Sequence, residues 1–167
     1  MKFGDKIKQL GLRLRFTVGI VSAEWSPKQG DKEAAWKMYI ELLTRVTTQA
    51  LPNESGNEQS ALASIHSLFD TTRSVLKEQG QDCIEFTKIA IGILNQVVRP
   101  FTTKWHKISL TGDFEDPSIC EEFRQELDEL QMELRVYMKA LAKLAEVEDL
   151  TELSEISDFS CVEKTVG

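Results

Sequence analysis

The stretch Asp116–Ala145, DPSICEEFRQELDELQMELRVYMKALAKLA, decides the fold class. Asp116 followed by Pro117 is a helix start. A carboxylate at the cap accepts otherwise orphaned N–H groups, and a proline at the first helical position gives up only an N–H that would go unpaired anyway. Phe123, Leu127, Leu130, Leu134, Tyr137, Leu141 and Leu144 then recur at alternating steps of four and three residues. At about 100° per residue this spacing draws one apolar seam along a helix. Glu122, Glu126, Glu129 and Glu133 line another side. A long amphipathic helix over 117–147 follows, and its seam has to be covered. A bundle interior covers it, and so does a partner helix or a second copy. Leu130 and Leu134, at the centre of the seam, decide between the two.

Working outward, three further helices supply the remaining walls. One is expected over 31–51, with Asp31 as its cap and Trp36, Tyr39, Ile40, Leu43, Val46 and Ala50 on one face. Pro52, Asn53, Ser55 and Gly56 end it. A second covers 58–79, with a stripe of Leu62, Ile65, Leu68 or Phe69, Thr72 and Leu76, and Gly80 just past its end. A third covers 82–106, opened by Asp82 and Glu85 as an acidic capping box. Apolar residues surround most of this third helix, so it is expected to be central and buried on more than one side. Asn95 is its polar exception, expected to bond inside and fix register. Arg99-Pro100 interrupts it, either as a kink or as a stop followed by a new short helix. Before Pro27, Leu10, Leu12, Leu14 and Phe16 alternate with polar or small residues, the period of a strand, so 10–25 reads as a strand or hairpin. The expectation is a mainly α protein: an antiparallel four-helix bundle with a short N-terminal β-strand or hairpin. One domain spans 1–150, and 151–167 is an acidic, mobile C-terminal tail.

Composition fits this frame. The chain has 167 residues, 41% hydrophobic and 28% charged, with a formal net charge of −7. That length suits one domain with a core of its own. The acidic balance argues against non-specific nucleic-acid binding by the whole chain, and DNA is not an expected partner. Cys83, Cys120 and Cys161 form no C-x-x-C pair, which points to neither zinc nor a redox motif and suits a reducing, cytoplasmic setting. No cofactor or metal is expected. His66 has Asp70 four residues on, a pair too small to hold a metal. The first residues are basic: Lys2, Lys6 and Lys8 accompany Phe3, Ile7 and Leu10 at helical spacing. A short segment of this kind attaches to an anionic membrane surface only marginally.

Two resemblances add to this reading. Ala35–Leu51, AWKMYIELLTRVTTQAL, and Leu94–His106, LNQVVRPFTTKWH, resemble a pair of segments that occur in the same order in a family of small helical bacterial proteins. The resemblance brings no activity with it. By analogy it implies a bacterial conflict or signalling system. It directs attention to Glu41, Arg45 and Gln49, at i, i+4 and i+8, and to Arg99, Trp105 and His106. Separately, Arg99 followed seven residues later by His106 resembles the Arg-x(4–6)-His motif of HEPN ribonucleases, small helical proteins that cleave RNA without metal, usually as dimers. That resemblance implies proton transfer by His106 and stabilisation of phosphate charge by Arg99. The family commonly places a polar residue after the arginine, and here it is Pro100. The course of the helix through Pro100 therefore decides whether the two share a face.

The leading functional expectation is a non-enzymatic protein-interaction or regulatory module, binding a protein partner or itself, with Glu41, Arg45, Gln49, Trp105, Leu130 and Leu134 as contact residues. The alternatives are a metal-independent ribonuclease using Arg99 and His106, with RNA as substrate, and a peripheral membrane protein anchored by its basic N-terminus.

Overall fold

A computed structural model describes residues 27–45, 47–52 and 56–155. The protein is mainly helical, and no strand occurs among these residues. The expected strand or hairpin at 10–25 lies outside them. In chain order the helices are α1 (Gln29–Leu43), α2 (Glu58–His66), α3 (Leu68–Gln79), α4 (Ile84–Ile93), α5 (Arg99–Ser109) and α6 (Pro117–Ala145), with short 3-10 turns at Gly80–Cys83, Asp113–Glu115 and Thr151–Glu155. No helix among the described residues is long and apolar enough to cross a membrane.

α6 follows the sequence expectation closely. Asp116 Oδ1 accepts the Ser118 N–H at 2.8 Å, and Pro117 sits in the first turn. All seven seam residues are buried, from Phe123 at 0% exposure to Leu130 at 5%. The seam is thus an inner wall, and Leu134 is wholly enclosed. The helix ends at Glu146, which takes the left-handed conformation at φ 58°, and the Val147 N–H reaches back to the Ala142 carbonyl.

α1 departs from expectation in start, phase and length. It begins two residues before Asp31, which stands at the third helical position. There its Oδ2 accepts the Lys28 N–H at 2.8 Å. Its Oδ1 accepts the N–H groups of Glu85 and Phe86 at 2.8 and 2.9 Å, so one buried carboxylate caps the starts of both α1 and α4. The expected capping by Asp82 and Glu85 is replaced by this remote cap. A Cβ on Gly30 would meet the Asp82 carbonyl oxygen at 2.7 Å, so the close approach needs a glycine. The buried face is Asp31, Ala34, Ala35, Met38, Tyr39 and Leu42, whereas Trp36 and Ile40 are exposed at 43% and 37%. The helix stops at Leu43 instead of continuing to 51. Thr44 Oγ1 donates to the Ile40 carbonyl and Thr48 Oγ1 to the Leu42 carbonyl. β-Branched hydroxyl side chains here compete with the helix for its own acceptors.

The expected 58–79 helix is two pieces, α2 and α3, parted at Ser67, whose hydroxyl donates to the Ser64 carbonyl at 2.7 Å. Ala61, Leu62, Ile65, Leu68, Phe69, Thr72 and Val75 face the core. α4 buries Phe86, Ile89, Ala90 and Ile93 but leaves Ile84 and Ile91 about half exposed, at 48% and 47%, so it is not enclosed all round.

Pro100 neither ends nor sharply breaks the rod that α4 begins. A π-helical turn, Leu94–Val98, joins α4 to α5, and the Arg99 N–H bonds the Leu94 carbonyl. Proline inside an α-helix has no N–H to give and crowds the carbonyl four residues back. The widened turn takes up that misfit before Pro100, which then lies in the first turn of α5.

The segment after α6 returns to the core. Thr151, expected to begin the mobile tail, is fully buried, and the Leu150 N–H donates to the Tyr39 hydroxyl at 2.5 Å. The rest of the expected tail, 156–167, lies outside the described residues.

Candidate functional site

α5 is the element on which most of the chemically distinctive residues meet, because three of its sides do different things. Phe101, Thr102 and Trp105 face inward and are buried. The Trp105 ring stacks on Phe114 at 6.0 Å between centroids and meets Phe123 edge-on at 5.0 Å. Its Nε1–H donates to Glu126 at 2.9 Å. Trp105, expected as a contact residue, is therefore a core residue whose one polar atom is satisfied inside the fold.

On one flank, Lys104 bonds Glu122 at 2.7 Å and also Glu126. Hydrogen bonds to these two carboxylates push the Lys104 ammonium pKa upward. Beyond this pair opens a groove of about 830 Å³ between the π turn and α6. Val97, Leu130 and Met132 line it together with Glu126, Glu129 and Glu133. Met132 is 57% exposed, and Glu133 has one carboxylate oxygen that is buried with no hydrogen-bond partner.

On the other flank, a smaller groove of about 330 Å³ separates α5 from α2 and α3. Arg99 and His106 both line it, as do His66 and Arg73 from the facing helices. Seven residues along one continuous helix is close to two turns, so the π turn that accommodates Pro100 leaves Arg99 and His106 on a common face. Arg99 Nε donates to Asn95 at 3.1 Å. Asn95 is exposed, so it orients an arginine where a buried bond fixing register was expected. Asp70 pairs with Arg73 at 2.6 Å, and no His66–Asp70 hydrogen bond is found. Among the described residues, no cluster of three or more His, Cys, Asp and Glu side chains could hold a metal ion.

The expected trio on the first helix is not brought together. Glu41 and Arg45 form an ion pair, and Arg45 also donates to the Ser67 hydroxyl at 2.7 Å, tying the end of α1 to the break between α2 and α3. Gln49 lies beyond the helix, and its carbonyl accepts from Gln131 at 2.6 Å. Leu130 touches the acidic groove from the core side, and Leu134 does not reach a surface.

Beside Asp31, whose reach to α4 no local pattern shows, two arginines that sequence reasoning passed over hold the scaffold. Arg124 bonds Glu58 and the carbonyls of Leu51, Pro52 and Gly56, at distances from 2.8 to 3.4 Å, clamping the 51–58 loop to α6. Arg135 reaches the Thr48 carbonyl at 3.3 Å. Arg124, Gln131 and Arg135 stand at i, i+7 and i+11, one polar stripe that follows the loop. No sequence signal marks them among the other polar residues of α6.

The chain matches no known family model, no curated protein and no solved structure.

Proposed function

We propose that this chain is a non-enzymatic interaction module, a bundle of four antiparallel helical rods that takes a basic amphipathic segment of a protein partner into the groove between the π turn and α6. The observation that carries this reading is Glu133. A buried carboxylate oxygen without a donor is costly, and a lysine or arginine in the groove, pairing with the charge of the same carboxylate, offsets part of that cost. Glu129, one turn earlier, has no cation paired with it among the described residues, whereas Glu126 is already held by Lys104 and Trp105. Val97, Leu130 and the exposed Met132 offer an apolar floor between the carboxylates, and a thioether side chain adapts to varied partners. This pattern of apolar floor and charged wall accepts an amphipathic helix by its apolar face. Met132 and Glu129 thus replace Trp105 and Leu134 as contact residues. A cytoplasmic setting belongs to the same reading, since Cys83 and Cys120 are both free thiols.

The test uses a fluorescent amphipathic peptide of leucine and lysine, with its leucine–glutamate counterpart as control. The lysine peptide should bind with Kd on the order of micromolar, and the double change Glu129→Lys/Glu133→Lys should weaken it by about tenfold or more. Glu121→Lys, on the same helix but outside the groove, should leave binding unchanged. Equal affinity for the double variant and the unaltered protein would sink the reading.

A further inference from the structure

The smaller groove carries a separate inference that does not depend on the acidic one. Its walls are α2 and α3 on one side, with His66 and Arg73, and α5 on the other, with Arg99, Thr103, His106 and Lys107. Those four α5 residues fall at i, i+4, i+7 and i+8, so they share one side of the helix. On a chain of net charge −7, a groove lined by two arginines, a lysine and both histidines, with no carboxylate in its lining, is a marked segregation of charge. Phe69 organises it from below. The Arg99 guanidinium lies 4.8 Å and the Arg73 guanidinium 6.0 Å from the Phe69 ring centre, and the His66 ring lies 5.7 Å away. Arg99 is further fixed through Nε by Asn95. Its two terminal amino groups have no protein partner among the described residues, and they form the fork that matches two oxygens of a phosphate. The Thr102 hydroxyl is spent on the Val98 and Arg99 carbonyls, whereas Thr103 is exposed and offers a hydroxyl donor.

We infer that this groove is a binding site for a phosphomonoester dianion, held by the Arg99 fork and flanked by Arg73, Thr103, His106 and Lys107. A terminal phosphate fits better than a nucleic-acid strand. Single-stranded nucleic acid is held by stacking its bases on open aromatic faces, and Phe69, the one aromatic ring at this groove apart from the histidines, is 6% exposed and covered by arginine. The dianion comes from a phosphorylated side chain of a partner segment or from a free phosphate, and the arms of the test separate them.

The chain has two histidines, and both line this groove. Imidazole carbon–proton NMR signals therefore report on the site alone. At fixed pH and ionic strength, inorganic phosphate and a phosphoserine peptide should each move both signals saturably, while the unphosphorylated peptide should move neither. Tighter binding of the peptide assigns the source to a modified protein, and equal binding assigns it to a free anion. Arg99→Gln should weaken phosphate by about tenfold, and Arg73→Gln by less, because Asp70 already shares that guanidinium. Circular dichroism checks that each variant is folded. Should Arg99→Gln disturb the fold, Arg73→Gln combined with Lys107→Gln carries the comparison. Absence of a saturable shift, or an equal shift with chloride, overturns the inference. So does an oligoribonucleotide that moves the signals at lower concentration than the phosphopeptide.

Discussion

α1 and α6 pack against each other more extensively than any other pair of helices, yet they are built by different rules. α6 shows its large apolar residues to the core at heptad spacing, and its largest rings, Phe123 and Tyr137, are inside. α1 shows Ala34, Ala35, Met38, Tyr39 and Leu42 to the core and leaves Trp36, its largest side chain, outside. The difference comes from Asp31. Its carboxylate must face inward to cap α4, and residues 35, 38, 39 and 42 lie at i+4, i+7, i+8 and i+11 from it, on the same face. Trp36 is about 140° away from Asp31 at 100° per residue. A polar anchor, not the sum of apolar side chains, sets the rotation of α1. In α6 the polar anchors Arg124, Gln131 and Arg135 stand beside a seam that has already fixed the phase.

The largest expected effect is on the seam. Leu134→Lys places a charge where no water reaches and should cost about 4 kcal/mol or more, abolishing the cooperative thermal transition seen by circular dichroism. Leu130→Lys should be tolerated better, because Leu130 edges the acidic groove and a lysine there can extend its ammonium toward Glu129 and Glu133. If both variants unfold alike, Leu130 is as enclosed as Leu134 and the groove does not reach the seam.

Next in size is the anchor of α1. Asp31→Ala removes three charge-assisted hydrogen bonds from two helix starts and should cost about 2–3 kcal/mol in chemical denaturation. Trp36→Gln should cost less, about 1 kcal/mol, because the ring is 43% exposed and its one aromatic neighbour among the described residues is Tyr39. A larger loss at Trp36 than at Asp31 would reverse the comparison and return the phase of α1 to its apolar residues.

This contrast also explains what could be read in the sequence. The seam of α6, its Asp-Pro start, the buried stripe of α2 and α3 and the glycine at Gly80 all rest on local periodicity or capping, and they were legible. The end of α1 was not, because Thr44 and Thr48 act through hydroxyl bonds to carbonyls that a count of apolar residues does not register. The cap on α4 comes from a residue more than fifty positions earlier, and such a bond leaves no local trace. At the candidate grooves, the spacing of Arg99 and His106 was visible, but their common face depended on a π turn. The proline signalled only a disturbance there. His66 and Arg73 join them through packing of separate helices, and spacing along one helix could not show it. The orphan oxygen of Glu133 depends on what surrounds it.

The smallest and most discriminating effects belong to the two tyrosines, one on each helix. The Tyr39 hydroxyl accepts the Leu150 N–H and lies 3.5 Å from Asp149, so it ties the segment after α6 to α1. The Tyr137 hydroxyl is buried with no hydrogen-bond partner. Tyr39→Phe should cost about 1 kcal/mol and raise hydrogen exchange at Leu150 and Thr151. Tyr137→Phe should be neutral or stabilising by up to about 1 kcal/mol, since it removes an unsatisfied buried group and keeps the ring. Burial pushes both phenol pKa values above their ordinary value of 10. The folded state thus holds these protons more tightly than the unfolded chain. The stability that this contributes is complete below about pH 10 and is lost as pH rises through the folded values. Absorbance at alkaline pH should show Tyr137 un-ionised while the fold persists, with its tyrosinate appearing together with unfolding. Tyrosinate that appears near pH 10 in folded Tyr39→Phe protein would mean that the Tyr137 hydroxyl reaches water, and the seam of α6 would then be less closed than the face of α1 that Asp31 holds in place.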